Sequence, residues 1–372
     1  MYSVFNAKNR KDHTSAKTFF DDSVTLARYD KQKYSFLEKL TEKQLSFFWR
    51  PEEVEIIRDA KDFKDLTDHE KHIFTSNLKR QILLDSVQGR APLLAFGPIC
   101  SIPELETWLT TWTFFETIHS RSYTYIIRNV YPDPSKVFDE ILDIPEIVDC
   151  ASDISKYYDE LLNWNTSREY PDSPYKYNNS SNYEHKKALW LALMSVNVLE
   201  GIRFYVSFAC SWAFAEVKKM EGNAKIISLI NRDENLHMGF TSFLLKTLKE
   251  EWSEGFQQIV TECEPLVLKM YEDAAKEELE WAEYLFKDGS MIGLNAEILT
   301  QYMKWLTNNR MKLIGIEPLF DKVQNPISWI NNWTSGSTSV QNAPQETEIE
   351  TYVVGAYKQD IDDESYDEFS FS

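Results

Sequence analysis

The stretch LWLALMSVNVLEGIRFYVSFACSWAF (residues 189–214) decides the fold, because it is the most apolar part of the chain and is long enough to cross a bilayer. Three polar side chains interrupt it, namely Asn197, Glu200 and Arg203. Ionisable side chains are costly inside a membrane, so we do not expect a membrane span. The stretch instead predicts a helix, from about His185 to Met220, that is buried in the core of a large protein.

The composition fits a helical protein with a substantial core. Hydrophobic residues make up 43% of the 372 residues, whereas Gly and Pro number only 11 and 13. The N-terminus has no apolar signal core, and the four cysteines lie far apart without a CxxC pair, which favours a reducing cytoplasm over a disulfide framework. The formal charge of -19 argues against nucleic acid as a direct partner.

Helical patterns cover most of the chain outward from this stretch. The segment Thr67–Asp68–His69–Glu70 is a capping-box signature that predicts a helix start, and Pro103 is typical of a second start. We expect an N-terminal arm over residues 1–29, one helical domain over 30–333, and a flexible acidic tail over 334–372, with a long loop at 163–183. The predicted helices cover residues 31–48, 67–88, 103–129, 144–162, 185–220, 223–250, 254–286 and 296–314.

Two Glu-x-x-His sequences, Glu116 to His119 and Glu234 to His237, are the first candidates for a metal site. Residues three apart lie on one helical face, so each pair can direct a carboxylate and an imidazole to one point. Taken alone, such a pair is more often a solvated surface pair than a metal site. The second pair, however, shares a face with apolar residues of its predicted helix.

Two further carboxylates, Glu200 and Asp85, stand on other predicted helices. A buried ionised Glu200 needs a cation, a metal or a proton, and a pair with Arg203 is an alternative to a metal. Asp85 lies near a helix C-terminus, where the helix dipole disfavours an acid, although it could also be an exposed residue.

The six residues together are more informative than any one of them. The order along the chain is a carboxylate, a Glu-x-x-His, a carboxylate and a second Glu-x-x-His, each on its own helix. That arrangement is typical of a ferritin-like helical bundle with a di-metal site in its core. Mixed oxygen and nitrogen ligands suit iron or manganese. Tyr123 lies four residues after His119 on the same face, so its phenol should lie near the metals, although a core tyrosine is the simpler interpretation.

These motifs resemble the small subunit of class I ribonucleotide reductase, most closely class Ia. The resemblance covers roughly residues 20–355 apart from the loop, and the matching segments include ARYDKQKY (27–34), EKQLSFFWRPEE (42–53), SIPELETW (101–108), ETIHSRSYTYIIRN (116–129), MSVNVLEGIRFYVSFACS (194–211), MEGNAKII (220–227), RDENLH (232–237) and DGSMIGLN (288–295).

The resemblance implies a role for each matching position. It implies that Tyr123 is the tyrosine oxidised to a stable radical, that Asp233 orients His119, and that Trp49 links Asp233 to the surface. It also implies that Tyr352 and Glu346, in the tail, couple the radical to a partner. The implied metal ligands are Asp85, Glu116, His119, Glu200, Glu234 and His237, and the implied apolar wall around the radical is Phe204, Phe208 and Ile230.

The implied activity needs a partner. A centre of two Fe ions per chain, with Mn possible, would use O2 to oxidise Tyr123, and the radical would pass to the large subunit, which reduces ribonucleotides to deoxyribonucleotides. The family also implies a homodimer. The tail carries nine acids and one Lys from Glu346 onward, with aromatic residues near its end, and this composition suits docking on the large subunit.

Two other functions fit part of the pattern. A stand-alone ferritin-like di-metal oxidase would need neither Tyr123 as a radical site nor an aromatic acidic tail. A metal-storage or scaffold protein would not oxidise a tyrosine with O2.

Overall fold

The structure is a computed structural model that describes residues 7–21, 24, 26–169, 179–251 and 253–334. Within these ranges the chain is helical and forms no strand, apart from two isolated bridges. The prediction of an all-α fold is therefore confirmed. The α-helices, in chain order, are α1 (Ser35–Ser46), α2 (Ile57–Asp65), α3 (Asp68–Gln88), α4 (Ala91–Phe96), α5 (Pro103–Val130), α6 (Pro134–Asp139), α7 (Pro145–Glu169), α8 (Asn179–Val198), α9 (Tyr205–Glu216), α10 (Glu221–Glu251), α11 (Ser253–Leu285), α12 (Ala296–Leu313) and α13 (Asn331–Thr334).

Local chemistry explains where the central helices begin. The Thr67 hydroxyl accepts a hydrogen bond from the backbone N–H of Glu70, and the Glu70 carboxylate accepts one from the Thr67 N–H. The predicted capping box is therefore present at the start of α3. Helix α5 begins at Pro103, as predicted. At α10, the carboxylate of Asp59 accepts the N–H groups of Gly222 and Asn223 at 3.1 and 2.6 Å, and so caps the helix from outside it.

Gly222 is required at this start because α2 lies against it. A β-carbon at this position would lie 2.7 Å from the carbonyl oxygen of Glu55 and 2.7 Å from a methyl group of Ile56. The close approach brings Asp59 within reach of the α10 N-terminus. Helix α2 itself was not predicted, because its nine residues, IRDAKDFKD, form a short and mostly charged segment.

Four helical segments surround the centre of the molecule. Helix α3 packs against α5 and α9, and α10 packs against α5, α8 and α9, so that α3, α5, α10 and the α8–α9 segment form a closed ring. Helices α7, α11 and α12 cover this ring from outside. The interior is dry and aromatic, since the side chains of Trp49, Trp108, Trp112, Trp212 and Trp281 are all fully buried.

The predicted helix from His185 to Met220 is wrong in one respect, because it is not continuous. Five residues, Leu199–Arg203, form a π-helical turn between α8 and α9. Such turns are rare, occur mostly as single turns inside α-helices and are frequent at functional sites. Helical periodicity does not distinguish this turn from a continuous helix, because apolar residues lie on both sides of it along the chain.

The prediction of a long loop over residues 163–183 is also wrong at both ends. Helix α7 continues to Glu169, and α8 already begins at Asn179. Only residues 170–178 remain of the predicted loop, and they lie outside the described residues. Side chains such as Asn165, which donates to the Ala95 carbonyl at 2.8 Å, tie the end of α7 to α4.

The described part of the N-terminal arm lies against the helical body. Phe19 is fully buried and forms an isolated bridge with Cys100, while the Thr18 N–H donates to Glu251 at the end of α10. Residues after Thr334 lie outside the described residues. The predictions for Glu346 and Tyr352 therefore concern positions that the structure does not describe.

One helical run, Asn182–Glu216, is long and apolar enough to cross a membrane by length and composition. Its most apolar window is 94% buried inside the protein. The run is thus the central core helix that the sequence predicted.

Candidate metal centre

The six predicted metal ligands meet in the middle of the helical ring. Asp85 comes from α3, Glu116 and His119 from α5, and Glu234 and His237 from α10, while Glu200 comes from the π-helical turn. All six side chains are fully buried, with none of their surface exposed. The Glu-x-x-His spacing therefore places each pair on the inner face of its helix, as expected.

The first group of ligand atoms belongs to Asp85, Glu116, His119 and Glu234, and these atoms all lie within 4.8 Å of one another. His119 Nδ1 lies 3.2 Å from Glu116 Oε2, 3.2 Å from Glu234 Oε1 and 4.0 Å from Asp85 Oδ2. Three carboxylates and one imidazole nitrogen thus face a single point.

The second group belongs to Glu116, Glu200, Glu234 and His237, again within 4.8 Å of one another. His237 Nδ1 lies 3.0 Å from Glu116 Oε1, 2.9 Å from Glu234 Oε2 and 4.0 Å from Glu200 Oε2. Glu116 and Glu234 belong to both groups, each with one oxygen toward either histidine. The arrangement describes two adjacent cation sites that share two carboxylates.

Unpaired polar atoms show that this donor set fits a pair of metal ions. Both oxygens of Asp85, one oxygen each of Glu116, Glu200 and Glu234, and Nδ1 of His119 are buried without a hydrogen-bond partner among the described residues. A buried polar group without a partner is costly, and a buried charge is more so. Four carboxylates balance the charge of two divalent cations, and oxygen with imidazole ligands suits iron or manganese.

The pKa shifts of three of the acids also indicate a site that binds cations. Burial raises the pKa of Asp85 and of Glu200 well above the usual range, and the charges of Glu116 and Glu234 raise both further. Burial also raises the pKa of Glu234, but hydrogen bonding with Glu200 and the charge of His119 outweigh it, and the result lies well below the usual range. These buried acids therefore compete for positive charge.

Both imidazoles respond to the surrounding acids. Burial lowers the pKa of His119, yet the charge of Glu234 and the bond to Asp233 raise it well above the ordinary value. The same competition, with Glu116 as the largest raising influence, brings the pKa of His237 to about 9. The site attracts cations strongly, whether these are protons or metal ions.

A hydrogen-bonded relay leads from His119 toward the outside of the bundle. Asp233 Oδ2 lies 3.1 Å from His119 Nε2 and accepts the Trp49 Nε1–H at 2.9 Å. The Trp49 and His119 rings stack at a centroid distance of 6.4 Å. Holding the second nitrogen of a ligand imidazole fixes the ring orientation, so the structure brings together the three residues that the resemblance grouped.

Tyr123 is fully buried on α5, and its hydroxyl has no hydrogen-bond partner among the described residues. Burial raises the pKa of its phenol well above the ordinary value, and the nearby charge of Asp85 adds to the effect. The phenol is therefore held neutral next to the carboxylate cluster. The three predicted wall residues are also fully buried, and the rings of Phe204 and Phe208 stack at 5.7 Å, while Ile230 lies on the neighbouring α10.

Three residues at the site were not predicted. Gln88 donates through Nε2 to Glu200 Oε1, and it accepts the Tyr158 hydroxyl at 2.8 Å. Trp112 donates through Nε1 to Glu116 Oε1 at 2.8 Å. Helical spacing could have identified two of them, because Gln88 lies three residues after Asp85 and Trp112 lies four before Glu116.

Comparison with known proteins gives independent evidence about which proteins this chain is similar to. The family described as "Ribonucleotide reductase, small chain" matches residues 27–326 of this chain. The chain is 52% identical to the ribonucleoside-diphosphate reductase subunit beta of Buchnera aphidicola subsp. Schizaphis graminum, with 99% of each chain covered.

Solved structures show the same architecture. A ribonucleotide reductase R2 subunit from Clostridium botulinum superimposes with a TM-score of 0.76 at 27% identity, covering 89% of this chain and 98% of that one. A dimanganese(II) NrdF from Streptococcus sanguinis superimposes with a TM-score of 0.65 at 19% identity, covering 84% of this chain and 100% of that one, which shows a shared fold.

Proposed function

The chain belongs to the ribonucleotide reductase small-chain family as a radical-generating small subunit of the class I enzyme, and from that premise we propose which of its residues make, keep and export the radical. The observation that carries the proposal is the buried cluster of four carboxylates and two imidazoles, with the Tyr123 phenol beside it. The stand-alone oxidase and the storage protein have no comparable support.

Six side chains would hold the metal pair. Glu116 and Glu234 would contribute to both ion positions, with Asp85 and His119 at one and Glu200 and His237 at the other. When bound, the metals would supply the redox chemistry that reduces O2 and oxidises the tyrosine, with one further electron drawn from an external reductant. We propose iron as the metal, since Tyr123 and the surrounding sequence resemble class Ia, with manganese as the alternative that shares these ligands.

Tyr123 would carry the radical, and its surroundings would protect it. The phenol is buried and neutral, so oxidation must remove a proton together with an electron, and the nearby Asp85 carboxyl is placed to take part in that proton transfer. Phe204, Phe208 and Ile230 would exclude water and small reductants from this part of the core. A dry apolar surrounding slows quenching of a phenoxyl radical.

Export would use the relay on the other side of His119. Trp49 donates its indole N–H to Asp233, so Asp233 can hold the indole proton while Trp49 loses an electron. Tyr352, in the tail, would then pass the oxidising equivalent to the large subunit, with Glu346 assisting. The beta subunit works as a pair with an alpha subunit, and we propose that the acidic tail is the segment that binds it.

We also propose that the chain forms a homodimer and acts in the cytoplasm. The family resemblance supports both statements, and the free thiols of the four buried cysteines, which suit a reducing compartment, support the second.

Electron paramagnetic resonance tests the proposed radical site. After Fe(II) and O2 are added, the wild-type chain should show a tyrosyl radical signal, and Tyr123→Phe should show none while binding the same amount of iron. Tyr302→Phe is the matched control, because Tyr302 is equally buried but lies on α12, which supplies no ligand. A radical signal of unchanged yield in Tyr123→Phe would assign the radical to another residue.

A further inference from the structure

The π-helical turn that presents Glu200 is surrounded by buried charged side chains that the metal chemistry does not use. A π turn inserts one residue into a helix, which displaces backbone groups from their ordinary helical partners. Buried backbone groups must find partners elsewhere, so a turn of this kind in a dry core depends on its neighbours. Two of those neighbours bond directly to the backbone at the turn.

Arg310, on α12, satisfies a carbonyl inside the turn. Its Nε donates to the carbonyl oxygen of Gly201 at 3.3 Å, and its Nη2 donates to the Tyr205 hydroxyl at 2.8 Å. Its stem lies against Gly201, where a β-carbon would be 3.4 Å from Arg310 Cγ and 3.3 Å from Met238 Sδ. Arg310 thus spans the turn and the first residue of α9.

Glu278, on α11, satisfies an N–H group just after the turn. Its Oε2 accepts the backbone N–H of Val206 at 3.2 Å, and its Oε1 accepts from Arg80 Nη2. Glu278 and Arg80 are both almost completely buried. Because Arg80 lies on α3, one turn and a half before Asp85, this pair connects the π turn to the helix that carries another ligand.

Arg203, the last residue of the turn, anchors it on the outer side of the ring. Its side chain is 2% exposed, and the guanidinium donates to Asp153 on α7 at 2.6 Å, to Glu277 on α11, and to the Cys150 thiol at 3.1 Å. The side chain therefore joins the turn to two covering helices at once. Glu200 lies three residues earlier and points the opposite way, into the carboxylate cluster.

We propose that Arg310 and Glu278 are positioning residues, with Arg203, that hold the π-helical turn in the conformation that directs Glu200 to the second metal position. This inference rests on the proposed function, since it assigns residues that act on the same metal site through Glu200. Neither Arg310 nor Glu278 belongs to the two groups of ligand atoms, so an effect of either residue on metal binding must pass through the turn that carries Glu200.

Mn(II) binding tests the proposal, because this redox-stable ion can be counted without any turnover. Equilibrium dialysis of the folded full-length chain should give two ions for wild type. Arg310→Met and Glu278→Ala should weaken one of the two ions by about 10- to 100-fold and leave the other near its wild-type affinity. Arg310→Lys and Glu278→Gln, which each keep one backbone bond, should recover most of the lost affinity.

Asn165→Ala is the control, since Asn165 is a buried side chain that bonds to the Ala95 carbonyl far from the turn. It should lower stability but keep both ions. Amide hydrogen exchange gives a second measurement, with faster exchange over residues 200–206 in Arg310→Met and Glu278→Ala only. Wild-type affinity for both ions in those variants, or an equal loss at both sites matched by Asn165→Ala, would overturn the proposal. Two ions in wild type would still support the metal site itself, so the two failures are distinguishable.

Discussion

At the scale of single residues, one carboxylate oxygen of Asp233 connects the metal site to Trp49, through which we propose that the radical is exported. Asp233 Oδ2 faces His119 Nε2 and also accepts the Trp49 indole N–H. Asp233 is fully buried, so the relay is protected from water along its length. The two ends of the relay can be separated experimentally, because only one of them belongs to a ligand.

Replacement of Trp49 with Phe should separate formation of the radical from its export. Phe has no N–H for Asp233 and is harder to oxidise, so ribonucleotide reduction with the large subunit should fall to background. The Tyr123 radical should still form, because no ligand changes. Radical yield and product formation measured on the same samples decide the matter, and normal product formation would remove Trp49 from the path.

His185 makes a second prediction at this scale, on stability. Its ring is fully buried, and Nε2 donates to Asn165 Oδ1 at 2.7 Å. Burial lowers the pKa of His185 to about 3, with the charge of Arg168 adding to the effect. The unfolded chain binds a proton near pH 6.5 and the folded chain does not, so stability is lost as pH falls through about 6.5 toward 3.

Urea unfolding of the metal-free chain at pH 7 and pH 5 measures this effect. Between these values the wild type should lose roughly 2 kcal/mol more of its unfolding free energy than His185→Phe, whose ring cannot take up a proton. The comparison uses the difference between two pH values, so the constant packing cost of the substitution cancels. Equal losses in both proteins would show that His185 is protonated in the fold.

At the scale of helices, the capping box at α3 should have a measurable energy. Thr67→Ala removes the oxygen that accepts the Glu70 N–H and should cost about 1 kcal/mol of unfolding free energy. Thr110→Ala is the control, because that hydroxyl only bonds back to the Glu106 carbonyl within α5. Urea unfolding compares the two, and an equally small effect of both would show that the cap does not stabilise α3.

The helices that could be predicted well are those with a chemical start signal. The box at Thr67 and the proline at 103 predicted the starts of α3 and α5 correctly, and with them three of the six proposed ligands and Tyr123 by simple helical spacing. The π turn could not be predicted, because its neighbours are far away in sequence: Arg310 bonds to the Gly201 carbonyl inside the turn, and Glu278 bonds to the Val206 N–H just after it.

Contacts between distant parts of the chain also explain why the loop boundaries and some site residues could not be predicted. The Asn- and Ser-containing end of α7 is helical although its local propensity is weak, because Asn165 and Ser167 are buried there. Gln88 lies at the last turn of α3 and looks like an ordinary surface residue in sequence, yet it is fully buried against Glu200. Its position three residues after Asp85 is the one sequence signal that connects it to the site.

At the scale of the whole molecule, the charge is divided between a helical body and the tail. From Glu346 to the C-terminus the chain carries nine acids and one Lys, and it also carries Tyr352. If the tail binds the large subunit, the body should make the radical without it, because every ligand lies between Asp85 and His237.

A chain that ends at Thr334 should therefore form the Tyr123 radical in wild-type yield and fail to support ribonucleotide reduction. Tyr352→Phe in the full-length chain should bind the large subunit normally and still fail in reduction, which separates docking from radical transfer. Tyr366→Phe is the matched control within the tail. Full activity of the shortened chain would refute both roles assigned to the tail.

The central claim is that six side chains from four helical segments hold two metal ions at adjacent positions. Anomalous diffraction at the iron edge, from crystals of the chain loaded with Fe(II) under anaerobic conditions, tests it most directly. Two iron peaks are expected in the helical ring, one beside Asp85 and His119 and one beside Glu200 and His237, with Glu116 and Glu234 between them. A single peak, no peak, or iron bound only at other residues would contradict it.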